Sequence, residues 1–404
     1  MRPNIGIFGK RNVGKSSLIN ALTGQELAIV SEFAGTTTDP VGKAMEILPL
    51  GPVFILDTAG LDDIGDLGAK RVEKTYTVLR RTDLALHVTT YNDFDQTDKD
   101  FLKREKNVIV VFNKSDLAYS ETAVTNAVDY LKRQSIDYIS VSAMTGSNIA
   151  QLRIMITARV PEIISSEAVI TDLIKSDDIV LQVMPIDSSA PKGRIILPQE
   201  QVLREALDNH AISICIQPEE ILQTLQSLKQ KPRLAITDSQ VIERVTDIIP
   251  DDIMLTTYSI LFSRLKGNLN TFISGLEAIS RLRENDRVMI AEACTHHRQS
   301  DDIGTIKIPR WLQDYTGKKL NFLVNAGKIL HQDLREVKLI IHCGGCMINK
   351  KEMLSRMELA NDIEIPITNY GVLIAHMHDS LRRTLQPFPE SYNTYKRMVN
   401  LNSI

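Results

Sequence analysis

The chain has 404 residues, 43% of them hydrophobic and 24% charged, with a net charge of −3. That length accommodates roughly two to three domains, and the composition is ordinary for a globular protein. The charge balance gives no reason to expect a nucleic-acid partner, and no apolar run approaches the ~18 residues of a membrane span. No signal peptide is expected, because the N-terminus leads straight into a strand. Four cysteines, three of them beside histidines, predict metal ligation in a reducing cytosol and not a disulfide scaffold.

In chain order, the first strand is Asn4 to Phe8. Gly9-Lys10-Arg11-Asn12-Val13-Gly14-Lys15-Ser16 follows and fits G-x-x-x-x-G-K-[ST], and a helix with Leu18, Ile19 and Leu22 on one face begins there. Strand, glycine-rich turn and helix N-terminus are the setting a P-loop needs. Its backbone N–H groups, from Gly9 through Val13 and Gly14 to Ser17, and the helix dipole hold phosphates. Lys15 is expected at the β/γ-phosphates and Ser16 on Mg²⁺.

Three further strand ends repeat the pattern. Phe54-Ile55-Leu56 leads into Asp57-Thr58-Ala59-Gly60, where the Asp57 carboxylate suits Mg²⁺ through water and the Gly60 N–H suits the γ-phosphate. Val108 to Phe112 leads into Asn113-Lys114-Ser115-Asp116. Asp116 can accept two hydrogen bonds from guanine N1 and N2, a donor pair adenine lacks, so the expected nucleotide is GTP or GDP. Ile139 to Val141 leads into Ser142-Ala143-Met144, whose backbone can reach the guanine O6.

Four motifs in this order, each at a strand end, resemble a translation-factor-class GTPase of the TrmE/Era type over about residues 1–165. Gly35-Thr36-Thr37-Thr38-Asp39-Pro40 is similar to the G-T-T-x-D switch I of that subgroup. Thr37 is the expected Mg²⁺ ligand; Thr36 and Thr38 fit almost as well. Leu61 stands where Ras-like proteins carry a water-orienting glutamine, and leucine cannot orient water. The resemblance implies instead a monovalent cation held by Asn12, hence K⁺-stimulated hydrolysis. The loop acids Asp62, Asp63 and Asp66 are read as solvated, and no water-positioning residue stands out. Lys15, Thr37, Asp57 and Gly60 are the expected catalytic set.

Pro161 to Asp178 reads as a connector. Residues 166–265 then alternate strands (179–184, 212–216, 234–237, 253–256) with amphipathic helices, which predicts a small parallel sheet. Val202, Leu203, Ala206 and Leu207 form one helical stripe, and Ile221, Leu222, Leu225 and Leu228 another. No catalytic constellation occurs here. Cys215 is expected to be a small core residue and His210 a surface residue at a helix end. A unit of this kind fits a dimerisation module.

Residues 266–404 open with a helix from Leu269 to Leu282. Strands are expected at Arg287 to Ala291, Asn321 to Val324 and Val337 to Ile341, and helices at Lys350 to Ala360 and Tyr370 to Thr384. The first strand leads to Ala293-Cys294-Thr295-His296-His297 and the third to His342-Cys343-Gly344-Gly345-Cys346. Ligands bind at the carboxyl ends of parallel strands, so the sheet can bring Cys294 to Cys343 and Cys346. Those thiols with His296 or His342 suit a tetrahedral zinc, and three thiols also suit an iron–sulfur cubane with one exchangeable iron; spacing leaves both open.

C-x-H followed by H-C-x-x-C resembles the signature of the HydF family, the FeFe-hydrogenase maturation GTPases, and the domain order matches over the whole chain. The resemblance implies that Cys294, Cys343 and Cys346 bind a [4Fe-4S] cluster. It leaves the fourth position open to His296, His342, an acid such as Asp301, or an exogenous ligand. It further implies a homodimeric cytoplasmic scaffold. That scaffold would take a two-iron precursor from the radical-SAM maturases HydE and HydG and pass it to apo-hydrogenase, HydA. His297, His331, His376 and His378 have no motif support.

The expectation is therefore an α/β chain of three domains: a P-loop GTPase fold (1–165) followed by two smaller α/β units with mainly parallel sheets (166–265 and 266–404). The competing reading is an RNA-associated TrmE/Era-class GTPase with a structural zinc. The net charge and the absence of a basic, aromatic-interleaved segment speak against it.

Overall fold

The computed structural model describes residues 3–23, 42–47, 50–58, 75, 78–164, 168–186, 195–293, 302–327, 334, 336–345 and 348–401. These fall into two compact units, Met1–Ser166 and Glu167–Ile404.

The first unit holds β1 (Asn4–Phe8), β2 (Gly42–Ile47), β3 (Gly51–Asp57), β4 (Leu84–Thr89), β5 (Val108–Phe112) and β6 (Asp137–Ser140), in the order β2-β3-β1-β4-β5-β6. Every neighbouring pair is parallel except β2 with β3. The strands read as near-continuous apolar runs because helices cover both faces. In β5, Ile109 and Val111 pack with Leu18, Ile19 and Leu22 of the helix Lys15–Thr23. Val108, Val110 and Phe112 pack on the other face with Phe101 and Leu131. Alternate residues of one strand thus serve two cores. β2, which the sequence did not signal, adds the antiparallel edge.

The second unit contains two parallel sheets. One is β7 (Ile179–Val183), β8 (Ile212–Ile216), β9 (Leu234–Thr237) and β10 (Met254–Thr257), in the order β10-β9-β7-β8. The other is β11 (Arg287–Glu292), β12 (Asn321–Ala326), β13 (Val337–His342) and β14 (Ile367–Asn369), in the order β12-β11-β13-β14. One apolar core runs through both, joining Val180, Leu234 and Ile236 to Ile260 and Leu261 of the helix Tyr258–Lys266 and on to Ile290 and Ile340. The Arg383 guanidinium ties them further, donating to Pro250 O (2.8 Å) and Ile253 O (2.6 Å).

Several local expectations change. The helix Ile149–Ile164 runs through Pro161 instead of stopping there. A proline so near the C-terminal end removes only one hydrogen bond of the last turns. The expected Leu269–Leu282 helix is two short ones, Leu269–Ser274 and Glu277–Arg281. They break at Gly275, where a Cβ would stand 2.1 Å from Ile367 O, so the backbone packs directly on β14. Tyr370–Met377 and Leu381–Thr384 are likewise separate helices. Cys215 is exposed, not in the core. β8 is an edge strand, and Leu207 and Leu222 of the neighbouring helices, both expected on apolar stripes, are 58% and 59% exposed.

Candidate functional site

The P-loop connects β1 to the helix Lys15–Thr23. Its backbone is left-handed at Gly9 (φ 142°), Asn12 (φ 59°) and Gly14 (φ 92°). Gly9 must be glycine for a second reason: a Cβ would lie 2.1 Å from Val88 O. Lys15 Nζ donates to Gly9 O (3.0 Å) and Lys10 O (2.7 Å). Ser16 and Ser17 are exposed at the helix start, and Val13 is buried. Asp57 ends β3 beside Ile7, and the next residue, Thr58, donates its hydroxyl to Ile7 O (2.7 Å).

The second loop is bound to the first. Asn113 Nδ2 donates to Val13 O (2.9 Å), while Asn113 Oδ1 accepts from the Ala143 N–H (3.0 Å). The side chain is 2% exposed and bridges three motifs at once. Gly14 has no room for a Cβ, which would sit 2.3 Å from Asn113 Nδ2. Lys114, itself left-handed at φ 61°, donates Nζ to Asn12 O (2.7 Å). Asp116 is exposed, and one of its oxygens accepts from Ser142 Oγ (2.5 Å). The P-loop, Asn113 to Asp116 and Ser142 to Ala143 therefore share one rim, at the carboxyl ends of β1, β5 and β6, where a purine nucleotide fits. Thr36, Thr37, Thr38, Gly60, Leu61, Asp62, Asp63 and Asp66 lie outside the described residues.

A buried network behind the P-loop escaped the sequence reading. Lys10 Nζ bonds Asp98 Oδ2 (2.9 Å) and Asp95 Oδ1 (2.7 Å). Asp98 Oδ1 meets His87 Nε2 at 2.7 Å, with both side chains fully buried. Asp98 Oδ2 also accepts the Asp95 N–H (2.9 Å), closing a capping box on the helix Gln96–Arg104. Burial alone would raise the Asp98 carboxyl. The His87 bond, the Asp95 N–H and the Lys10 ammonium outweigh it and hold the carboxyl below its usual range. The D-x-x-D spacing of Asp95 and Asp98 was the available signal.

In the second unit, β11 and β13 are adjacent and parallel, and their carboxyl ends carry the expected thiols. The Cys343 N–H donates to Ala291 O (2.8 Å), and the Ala293 N–H donates to Cys343 Sγ (3.2 Å). Ala293, just past the end of β11, thus meets Cys343, just past the end of β13. Cys343 is half-buried and Gly344 exposed. Gly345 is left-handed (φ 60°), and a Cβ there would lie 2.6 Å from Met353 Cε. Cys294, His296, His297, Asp301, His331 and Cys346 lie outside the described residues. No group of three metal-ligating side chains forms among the described residues. A half-buried thiol already accepting a backbone N–H, on a glycine turn at two strand ends, fits a thiolate-held cluster.

His342 is fully buried. Its Nε2 lies 3.1 Å from Arg356 Nη1, which can only donate, so Nδ1 carries the proton and donates to Cys343 O (2.7 Å). Burial, then the Arg356 charge, lower its pKa to about 4. Both ring nitrogens are engaged, so ligation by His342 requires breaking one of these bonds. Arg356 also pairs with Glu352 (3.1 Å) and donates to Gly327 O (3.1 Å). Lys266, at the end of the helix Tyr258–Lys266, is 1% exposed and donates Nζ to Gly345 O (2.8 Å). Neither cation was singled out from sequence, where each reads as an ordinary helix-surface charge. His376 bonds Tyr395 Oη (3.0 Å) between two helices, and His378 pairs with Glu243 (3.4 Å).

Comparison with known proteins adds three domain matches. Residues 4–114 match the 50S ribosome-binding GTPase model, 169–267 the hydrogen maturase F dimerization domain, and 270–387 the hydrogen maturase F tetramerization domain. GTPase Der of Wolinella succinogenes is 38% identical over 162 residues, 37% of this chain and 34% of that protein. The tRNA modification GTPase MnmE of Polaromonas naphthalenivorans is 39% identical over 167 residues, 36% of this chain and 33% of that protein. The chain thus spans about a third of the length of these curated relatives. Among solved structures, Aquifex aeolicus Era bound to GDP·AlF4⁻ is 21% identical, covering 54% of this chain and 94% of its own, with a TM-score of 0.34. The G domain of the Thermotoga maritima FeoB iron transporter is 24% identical, covering 39% and 99%, with a TM-score of 0.31. The N-terminal domain is a GTPase with a P-loop fold, and GTP or GDP with Mg²⁺ are its ligands. Its continuation into two successive domains of one maturase decides the rest: the chain belongs to the hydrogen maturase F family.

Proposed function

We propose that this protein is a scaffold for FeFe-hydrogenase maturation that binds a [4Fe-4S] cluster and couples it to a GTPase. The observation that carries the reading is the union in one chain of a GTPase domain with both maturase F domains. The meeting of Cys343 with the backbone of Ala293 at two strand ends adds to it. Three domains are proposed: 1–165 for nucleotide, 166–265 for dimerisation and 266–404 for the cluster.

In the GTPase, Lys15 leaves the carbonyls of Gly9 and Lys10 for the β/γ-phosphates, a short move for a long side chain. Ser16 and Thr37 ligate Mg²⁺, Asp57 holds a water on it, and the Gly60 N–H contacts the γ-phosphate. Asp116 reads guanine, with Asn113 and Lys114 fixing the P-loop against that loop. Asn12 supports a K⁺ ion.

In the C-terminal domain, Cys294, Cys343 and Cys346 hold the cluster, and His296 or His342 are candidate fourth ligands. When bound, the cluster supplies an iron with a replaceable ligand as an attachment point for cargo. Of the chain's own groups, the Ala293 N–H orients the Cys343 thiol. The cargo is a two-iron precursor from HydE and HydG, and the recipient is apo-hydrogenase HydA, in the cytoplasm. The RNA-associated, zinc-holding alternative is not favoured, since two of the three domain matches are specific to the maturase.

Anaerobically reconstituted protein tests the reading by iron, zinc and acid-labile sulfide content and an EPR spectrum after dithionite reduction. About four iron and four sulfide per chain with a reduced-cubane signal is the expected result. About one zinc and no sulfide would overturn the assignment of the C-terminal domain.

A further inference from the structure

We infer that Tyr119 is a positioning residue for guanine recognition, its hydroxyl fixing the peptide that aims Asp116 at the base. The inference deepens the GTPase reading above and rests on Asp116 as the group that meets guanine.

Asp116 is exposed on the rim, where one of its oxygens accepts from Ser142 Oγ (2.5 Å). Bonds to guanine N1 and N2 at the same time need both oxygens well aimed, so affinity gains from a backbone fixed in advance. That backbone starts from a costly conformation. Lys114 is left-handed (φ 61°), a region that a residue with a Cβ enters only against steric resistance. The peptide joining Lys114 to Ser115 is held at both polar ends. The Ser115 N–H donates to Val141 O (3.0 Å), and Lys114 O accepts the Leu117 N–H (3.0 Å) and the Tyr119 hydroxyl (2.9 Å). The same hydroxyl lies 3.4 Å from Asn113 O. Tyr119 thus closes the loop that carries Asp116.

The ring is itself seated. Tyr119 precedes Ser120, which caps the helix Glu121–Arg133 by accepting the Ala123 N–H (3.2 Å). The rings of Tyr119 and Tyr91 meet edge to face with centroids 5.3 Å apart, and Tyr91 stacks on Phe112 at 4.1 Å. Phe112 ends β5 and Tyr91 follows β4, so this aromatic column stands on the strand ends beside the loop it serves. Burial, then the Asp116 and Asp93 carboxylates, raise the Tyr119 pKa and keep its hydroxyl a donor. Packing alone would need only the ring. Lys114 O is already satisfied by the Leu117 N–H, so losing the hydroxyl leaves no orphaned carbonyl. What the hydroxyl contributes is the placement of the loop.

Full-length protein freed of nucleotide would be titrated calorimetrically, with Mg²⁺ present, with GDP and with IDP, which lacks the N2 amino group. Wild type should prefer GDP. Tyr119→Phe keeps the ring and removes the hydroxyl. It should weaken GDP about fivefold, the scale of one neutral hydrogen bond. IDP should weaken less, because a single bond to N1 tolerates a shift that a pair does not. The preference for GDP therefore narrows, while kcat at saturating GTP should not fall. Tyr91→Phe removes a hydroxyl of the same column that bonds Ser140 Oγ (2.5 Å), and it should leave the preference intact. An unchanged preference in Tyr119→Phe, whether both affinities fall or neither does, would overturn the inference. So would an equal narrowing in Tyr91→Phe, or a Tyr119→Phe protein that melts below the assay temperature, since either assigns the hydroxyl to stability. Wild type that binds IDP as tightly as GDP would overturn the role of Asp116 as well.

Discussion

At the scale of single residues, the P-loop is held by side chains that never meet phosphate. Asn113 reaches Val13 O across the sheet, Lys114 reaches Asn12 O, and Asp98 anchors Lys10 from behind. Asp98 is fully buried and engages His87, Lys10 and the Asp95 N–H together. Removing one member of such a cluster leaves the others buried and unmatched, which costs roughly 3 kcal/mol. Asp98→Ala should therefore lower the unfolding free energy of the GTPase unit, read from urea melts, by about that much. It should also raise KM for GTP more than it lowers kcat, because the loop that carries Lys15 loses its support. An unchanged KM in a folded variant would show that the network serves stability alone. Asn12 offers a second residue-scale test. Its backbone is left-handed and exposes the side chain at the loop's tip, where a monovalent ion could bridge to phosphate. Hydrolysis should be several-fold faster in K⁺ than in Na⁺ at equal ionic strength, and Asn12→Ala should remove the difference. Equal turnover in the two salts would sink the K⁺ assignment.

At the scale of elements, parallel strands deliver their carboxyl ends to the chemistry, and one strand remains open. β8 pairs with β7 on one side, and its burial pattern leaves Ile212 51% exposed. Leu207 and Leu222 stand exposed in the neighbouring helices. An unpaired edge flanked by apolar side chains is a surface that a second chain can cover. It lies within the segment matched by the dimerization model. Ile212→Lys combined with Leu222→Lys should shift the protein toward monomer in sedimentation velocity without lowering its melting temperature by more than a degree or two. A mass unchanged from wild type would place the dimer contact elsewhere. This open edge explains why Cys215 departs from the expected core position. Its strand has the alternation and β-branched content of a buried one, and only the sheet order assigns it to the rim. Sequence periodicity reports which residues are apolar, not whether a neighbour arrives to cover them. The same limit explains Gly275. Its flanking residues carry one continuous helical stripe, and the break comes from backbone contact with β14, some ninety residues later.

At the scale of the whole molecule, the nucleotide loops were legible because each is a contiguous motif at a strand end. The bridges between them were not, because Asn113 to Val13 and Lys10 to Asp98 join residues about ninety to a hundred positions apart. The C-terminal cysteines were legible as a pair of strand ends, and β11 and β13 are indeed neighbours. Lys266, which donates to Gly345 O, was not, since a charge at a helix end is ordinary in sequence and only packing reveals that it is buried.

Each compact unit has its own cores, two on the faces of the first sheet and others in the two later sheets. Separate cores predict separable losses. Lys15→Ala removes the proposed phosphate-binding ammonium, which belongs to the first unit. GTP hydrolysis should fall at least a hundredfold, while iron and sulfide content stays at the wild-type level. Cys343→Ser does the reverse. Its hydroxyl is a harder, more weakly iron-binding ligand than a thiolate, so the cluster should be lost, while the GTPase rate is retained. Each variant can be measured for hydrolysis, iron, sulfide and activation of apo-hydrogenase. Loss of cluster in Lys15→Ala, or of hydrolysis in Cys343→Ser, would show that the units depend on each other for assembly. If instead both keep the partner activity and lose maturation, nucleotide and cluster act in series on one task. GTP then has to bind two conformations of the protein with different affinity, because a ligand shifts an equilibrium only by that difference.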